Sequence, residues 1–245
     1  IEPAISYAYM EEGRIVVVSS TQIPHIARRV VAQALGLPWG MVRIIKPYIG
    51  GGFGNKQDVL YEPLNAWLST QVGGRCVRLE ISREETFACT RCRHAINFTM
   101  KTAFRADGRL VARKLVAYSN QGGYASHGHA IVANAANEFK QLYQDEKATK
   151  ADAYTVYSNI ASGGAMRGYG IPQAVFAIES HIEDLAFLIK MDPIEFRLKN
   201  CMRKGYKDPV TGITAYSDGL VDCLIKGKEA VHWDEKRALY ENQRG

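Results

Sequence analysis

No stretch of the chain is apolar for long enough to span a membrane, and no signal-like segment opens it. No basic tract is longer than a pair of residues. The 31 Lys and Arg are interleaved with 25 Asp and Glu, so a formal charge of +6 arises without a continuous cationic stripe, and a nucleic-acid groove is disfavoured. Cysteine is scarce. Five in 245 residues, an odd number spread over the chain, suit a reducing, cytoplasmic setting better than a disulfide framework. Internal repeats and low-complexity linkers are also missing. What remains is a globular chain, 47% hydrophobic and 23% charged, long enough for one large domain or two small ones.

Both ends read as cut. IEPAISYAYM lacks an initiator Met, and KRALYENQRG runs out on a polar helical pattern without a stop. Residues 1–245 are therefore expected to be one domain of a longer polypeptide.

The pattern between those ends mixes sheet and helix. AISYAYM and RIVVVSS alternate as a hairpin around Glu11, Glu12 and Gly13. In TQIPHIARRVVAQALG, Ile23, Ile26, Val30 and Leu35 share a helical face, and Gly36 followed by Leu37 and Pro38 marks the stop. MVRIIKPYI and RCVRLEISR read as strands, with LYEPLNAWLSTQV as a buried helix between them. NFTMKTAFRADGRLVARKLVAYSN is two strands joined through Asp107 and Gly108. PQAVFAIESHIEDLAFLIKM places Val175, Ile178, Ile182, Leu185 and Ile189 at helical spacing, with Pro172 in the first turn. DPIEFRLKN restarts a helix on an Asp192 cap, with Pro193 first and Glu195 third. Hairpins and helices without regular strand–helix alternation make the class α+β, a mixed sheet and β-hairpins packed with helices.

Two features invite a metal reading and do not complete it. Cys89 and Cys92 form a CxxC, but Cys76, Cys201 and Cys223 supply no second pair; the two thiols read as incidental residues at a strand edge. His127 and His129 in YASHGHA lack a third ligand nearby and read as a polar loop. His25 and His181 fall within helices, as surface or boundary residues.

GGGFGNKQD, residues 50–58, is harder to set aside. A strand, a glycine-rich turn and then a helix is how backbone amides converge on an anion. The spacing fits neither a P-loop, which needs a Lys-Ser/Thr pair, nor the dinucleotide fingerprint, which needs glycine where Lys56 stands. A second segment, SGGAMRGYGIPQ at 162–173, has the same grammar: small residues, Arg167, an aromatic at Tyr169, a further glycine and a helix start. The two loops read as two walls of one cleft.

With GGGFGNK, GAMRGYGIPQ about 110 residues later, and Ser-Thr-Gln of SSTQIPHIARR 31 residues before Phe53, the chain resembles the molybdenum-binding large subunit of the xanthine dehydrogenase and aldehyde oxidase family. The corresponding family patterns are GGGFGGK and (F/M)RG(F/Y)G-x-PQ. The resemblance covers nearly the whole chain and weakens over roughly 130 to 160 and after about 205.

The resemblance implies molybdopterin as cofactor, with Gln22, Gly51, Gly52, Phe53, Gly54 and Arg167 around it. Gln22, Phe53 and Arg167 would lie nearest the molybdenum, Arg167 mainly through its main chain. Gln57 and Tyr169 would meet the substrate, Tyr169 as a plate for a flat ring. It further implies oxidoreductase chemistry: hydroxylation of a purine, another N-heteroaromatic or an aldehyde, with oxygen from water and electrons passed to iron-sulfur clusters and FAD on partner subunits or domains. Physics supports the loops' role, since a flat anionic pterin needs close backbone and donors rather than bulk.

Three departures qualify the substrate and the activity. Purine-oxidising relatives carry Glu where Gln57 stands, and an Arg near the position of Ala135. A carboxamide hydrogen-bonds but cannot take a proton as a carboxylate does. The family's general base, a Glu near its C-terminus, is expected beyond Gly245, so this chain alone is expected to be inactive. The alternatives are an aldehyde oxidase-type dehydrogenase and a non-catalytic module that handles the cofactor.

Overall fold

The computed structural model describes residues 1–140, 142–209 and 212–241. The backbone divides into two compact units, each drawn from several chain segments. The first contains Ile1–Ile96, Tyr118–Val132 and Tyr154–Gly170; the second contains Asn97–Ala117, Ala133–Ala153 and the chain from Ile171 onward.

In the first unit the expected hairpin is β1 (Ile5–Glu11) and β2 (Arg14–Ser19), paired from Ser6 with Ser19 to Glu11 with Arg14. Glu12 and Gly13 both have positive φ, as a two-residue turn matched to strand twist requires. β3 (Val42–Ile45) lies parallel to β2, and β4 (Val77–Glu80) lies antiparallel to β1, in the order β3-β2-β1-β4. The parallel β2–β3 pair is crossed by α1 (Pro24–Leu35). Its consequence for the site is direct: the chain leaves both strands at the same edge, so Gln22, just past β2, can meet the glycine loop just past β3.

Ala8, Ile15, Val17, Val31, Ala32, Val42 and Ala66 form the core here. The face of α1 that packs inward is Ala27, Val31 and Ala32; Ile26, expected inside, is 44% exposed. α2 (Glu62–Gln71) forms where a buried helix is expected, but it packs through Glu62, Asn65, Ala66 and Ser69, while Leu64 and Trp67 are exposed. Its seam is polar and satisfied: Asn65 Nδ2 donates to the Ser6 carbonyl (2.8 Å) and hydroxyl (2.7 Å), and Ser19 Oγ donates to Glu62 (2.7 Å).

A short helix not anticipated from hydrophobicity, α3 (Arg83–Cys89), carries a complete capping box. Ser82 Oγ accepts from Glu85 N (3.1 Å), and Glu85 accepts from Ser82 N (2.7 Å). Cys89 therefore ends a helix rather than a strand. Ser82→Ala should cost α3 about 1 kcal/mol, read as roughly fivefold faster amide exchange at Glu85 and Thr86; unchanged exchange there would show the box to be idle.

Three longer strands form a second sheet, β5 (Ile96–Phe104), β6 (Leu110–Gly122) and β7 (Ala148–Tyr157), in the order β5-β6-β7. The Asp107–Gly108 turn joins β5 to β6 as expected; β7 carries no clear alternation of buried and exposed residues. α4 (Gly128–Glu138) begins at Gly128, inside the segment read as a polar loop.

The second unit holds α5 (Ile171–Leu188), which buries Ile178, Ile182 and Leu185 as the spacing predicts. In α6 (Pro193–Asn200), Asp192 accepts from the Ile194 and Glu195 amides, whereas Glu195 turns to Lys228 (3.3 Å). α7 (Gly219–Ala230) and α8 (Trp233–Glu241) follow; the end of the C-terminal polar pattern, 242–245, lies outside the described residues. Within this unit the Arg113 and Glu146 side chains pair in near-complete burial, the guanidinium lying 4.6 Å from the Phe139 ring centre and 5.1 Å from that of Tyr143. Among the described residues no helix is long and apolar enough to cross a membrane.

Candidate functional site

Both glycine loops and Gln22 belong to the first unit, and there they meet. Gln22 N donates to the Lys56 carbonyl (2.9 Å), and Gln22 Oε1 accepts from Gly54 N (3.0 Å). A Cβ on Gly52 would strike the Gln22 carboxamide, 2.7 Å from Cδ. Gly54 has φ +98°, and its Cβ would fall 2.8 Å from the carbonyl carbon and oxygen of Ala165, so the second loop's backbone rests on the first. Phe53 and Tyr169, one in each loop, both have φ 50°, a left-handed conformation that bulky side chains adopt only when the surroundings enforce it.

Phe53, Gly54, Gln57, Ala165, Arg167 and Tyr169 line one cleft of about 550 Å³, with Ile23 and Ile26 of the α1 region on its wall. That explains why Ile26 is exposed. The Arg167 guanidinium sits 5.9 Å from the Phe53 ring centre, while its carbonyl accepts from Arg93 Nη2 (2.6 Å). Burial first, and the Asp58 carboxylate second, hold the Tyr169 hydroxyl above the usual phenol range. Gln22, Gly51 and Gly52 back the first loop rather than line the cleft. Ala135, where the resemblance places an Arg, is fully buried in α4.

The first loop does not open straight into a helix as expected. It ends in a 3₁₀ turn, Asn55–Gln57, and α2 starts only at Glu62, whose carboxylate already accepts from the Leu60 and Tyr61 amides. Lys56 is also committed: its buried ammonium meets Glu2 at 2.6 Å and pulls that carboxyl below its usual range. Neither group is left for a phosphate.

The residues between Cys89 and His94 do what hydrophobic pattern could not announce. Asn55 Nδ2 donates to Thr90 Oγ1 (3.1 Å) and the Arg91 carbonyl (2.5 Å); Arg91 Nε donates to Asp58 (2.7 Å); and Gly164 N donates to the Cys92 carbonyl (3.0 Å). With Arg93 on the Arg167 carbonyl, this segment ties each glycine loop to itself and so holds both. The readable signal was the pair Arg91 and Arg93 on either side of Cys92. Cys89 and Cys92 themselves are exposed and free.

The cleft's chemistry suits a flat anion: aromatic faces, a cation at Arg167, a carboxamide at Gln57 and no carboxylate among its lining residues. Among the described residues no group of three or more His, Cys, Asp and Glu could hold a metal ion. Residues 1–201 match the molybdopterin cofactor-binding domain family. The chain belongs to that family.

This molybdopterin-binding chain is 49% identical, over its full length, to a putative xanthine dehydrogenase molybdenum-binding subunit of Escherichia coli K12, and spans 33% of that protein. It is 36% identical to the large molybdopterin subunit of nicotinate dehydrogenase from Eubacterium barkeri, with 94% of the chain and 54% of the relative covered. Among solved structures, the aldehyde oxidoreductase of Desulfovibrio desulfuricans superposes with a TM-score of 0.87 at 26% identity, over 96% of this chain and 26% of that one. The α+β class, expected from the succession of hairpins and helices, and the molybdopterin cofactor, expected from the resemblance carried by the motifs, both stand.

Proposed function

We propose that this chain forms the cofactor cradle and one substrate wall of a molybdenum hydroxylase of the xanthine dehydrogenase type, acting on purines or other N-heteroaromatics. The observation that carries the reading is the convergence of Phe53, Gln57, Arg167 and Tyr169 on one cleft, with Gln22 bonded to its floor. Bound there, molybdopterin supplies the redox centre that oxidises an electron-poor carbon with oxygen from water.

The chain's own residues would hold and orient. Gly54, on the cleft wall, keeps the first loop free of a side chain where the pterin would approach, while Gly52 leaves room behind the loop for the Gln22 carboxamide and Gly51 for the Phe53 ring, which set the loop's shape for the cofactor. Gln22, with Oε1 spent on Gly54, has its amide donor left for the molybdenum's ligand sphere, and Phe53 and Arg167 border that sphere. Tyr169 presents a ring face to a flat substrate, and Gln57 both donates to and accepts from its edge. With no carboxylate in the lining, proton removal is not assigned to this chain. Electrons would leave to iron-sulfur and flavin partners, in keeping with a cytoplasmic enzyme. The neutral Gln57 also favours a second reading, an aldehyde oxidase-type dehydrogenase.

Metal analysis of the full-length purified protein tests the proposal: stoichiometric molybdenum and a pterin released on oxidation are expected. Protein made with ample molybdate and still free of both would refute it. In the same enzyme, Gln57→Glu should raise kcat/KM for xanthine relative to benzaldehyde about tenfold, the equivalent of ~1.4 kcal/mol; an unmoved ratio would remove Gln57 from the substrate wall.

A further inference from the structure

His127 lines the cleft, and the side chains behind it fix which of its ring nitrogens carries the proton. Arg91 Nε donates to Asp58 Oδ2 at 2.7 Å, and Ser126 Oγ donates to the same oxygen at 2.7 Å. Its one proton spent, Ser126 Oγ can only accept from His127 Nδ1, 3.2 Å away. Asp58 Oδ1 stands on that same side, 3.9 Å from Nδ1. A neutral imidazole protonated at Nδ1 carries its lone pair on Nε2. Nε2 is on the ring edge away from this anchor, and the ring lies 5.9 Å from that of Tyr169, tilted by 59°.

From this relay we propose that His127 is a specificity-determining residue: its Nε2 accepts a hydrogen bond from a ring N–H of a planar heterocycle lying against Tyr169. The inference rests on the cleft being the substrate site, and it narrows the substrate class to heterocycles that present an N–H edge. Neither the tyrosine face nor Arg167 can make that choice, since an aromatic face is indifferent to ring substituents and a guanidinium only donates; the Gln57 carboxamide, also in the lining, can accept as well, so the preference is tested at His127 with Gln57 unchanged. The four residues Asp58, Arg91, Ser126 and His127 come from three separate stretches of sequence, and each makes a contact that the relay needs.

The test compares xanthine with its ring-N-methylated derivatives on the complete molybdenum-loaded enzyme, by equilibrium binding and by KM. Wild type should prefer at least one N–H form over the matching N-methyl form about tenfold, one hydrogen bond's worth. His127→Asn keeps a polar atom at the anchored Nδ1 position and leaves the Nε2 position empty, so the preference should fall to within about twofold. His127→Gln places its carboxamide near the Nε2 position and should restore most of it. Preference unchanged in His127→Asn, or lost equally in Asn and Gln variants, would overturn the inference while leaving the proposed function standing. Wild-type enzyme that neither binds nor oxidises any N-heteroaromatic would overturn both.

Discussion

Gly54→Ala is expected to destabilise the first unit by about 2–5 kcal/mol and to strip the purified protein of most of its molybdenum. Two costs add. A Cβ at a left-handed backbone costs roughly 1–2 kcal/mol, and φ at Gly54 is +98°. The same Cβ would stand 2.8 Å from the Ala165 carbonyl, and backbone cannot step aside as a side-chain tip can, so overpacking adds about 1–3 kcal/mol. Gly205 separates the two. Its φ is +91° with nothing within 4 Å of the added Cβ, so Gly205→Ala should carry the backbone cost alone. At roughly 2–4 °C per kcal/mol, thermal melting should fall by about 5–15 °C for Gly54→Ala and clearly less for Gly205→Ala. Equal shifts, with molybdenum retained, would mean that the two glycine loops do not lean on each other.

The second large effect lies away from the cleft. Arg113→Met should cost about 3–5 kcal/mol, because it strands the Glu146 carboxylate in a buried place. Burial raises the Glu146 carboxyl above its usual range even with Arg113 beside it. A folded value above the unfolded one means that the group's contribution is fully present below the unfolded value, near about 4.3, and is lost as pH rises through the folded value. Without Arg113 the folded value climbs further. The variant's penalty should therefore be small near pH 4 and grow as pH rises toward 7, and adding Glu146→Gln should remove much of it. The Arg113 Nη atoms find no hydrogen-bond acceptor among the described residues and face the Phe139 and Tyr143 rings instead, so Met, long and apolar, is the substitution that keeps the packing. A melting difference that stays flat from pH 4 to pH 7 would show that Glu146 does not depend on Arg113.

Most elements were legible because they obey local rules. The β1–β2 hairpin announces itself by alternation and a Glu-Gly turn, and α5 by its apolar spacing. α2 was legible as a helix but not in its orientation: it buries Glu62, Asn65 and Ser69, whose value depends on partners at Ser6, Ser19 and Arg75. Ile23 and Ile26 misled for a different reason, since an apolar residue facing a ligand cleft looks in sequence like one facing the core. The glycine loops could be read as chemistry because glycine beside an aromatic leaves few structural uses. Their supports could not: Asp58, Thr90, Arg91 and Ser126 sit in loops with no periodicity, and only the folded chain brings them together. α3 was missed although Ser82 and Glu85 are a readable capping box.

The bonds that hold the cleft join residues far apart in the chain. Gln22 to Gly54 spans 32 positions, Asn55 to Arg91 36, Ser126 to Asp58 68, and Arg93 to Arg167 74. Closure entropy must be met before such contacts return any energy. On the ribosome, where roughly 5–20 residues emerge each second, the chain from Gln22 to Arg167 takes on the order of ten seconds to appear, and the cradle has no second wall until it does. The β1–β2 hairpin can form early, but the cleft is complete only in a chain already translated past its second glycine loop.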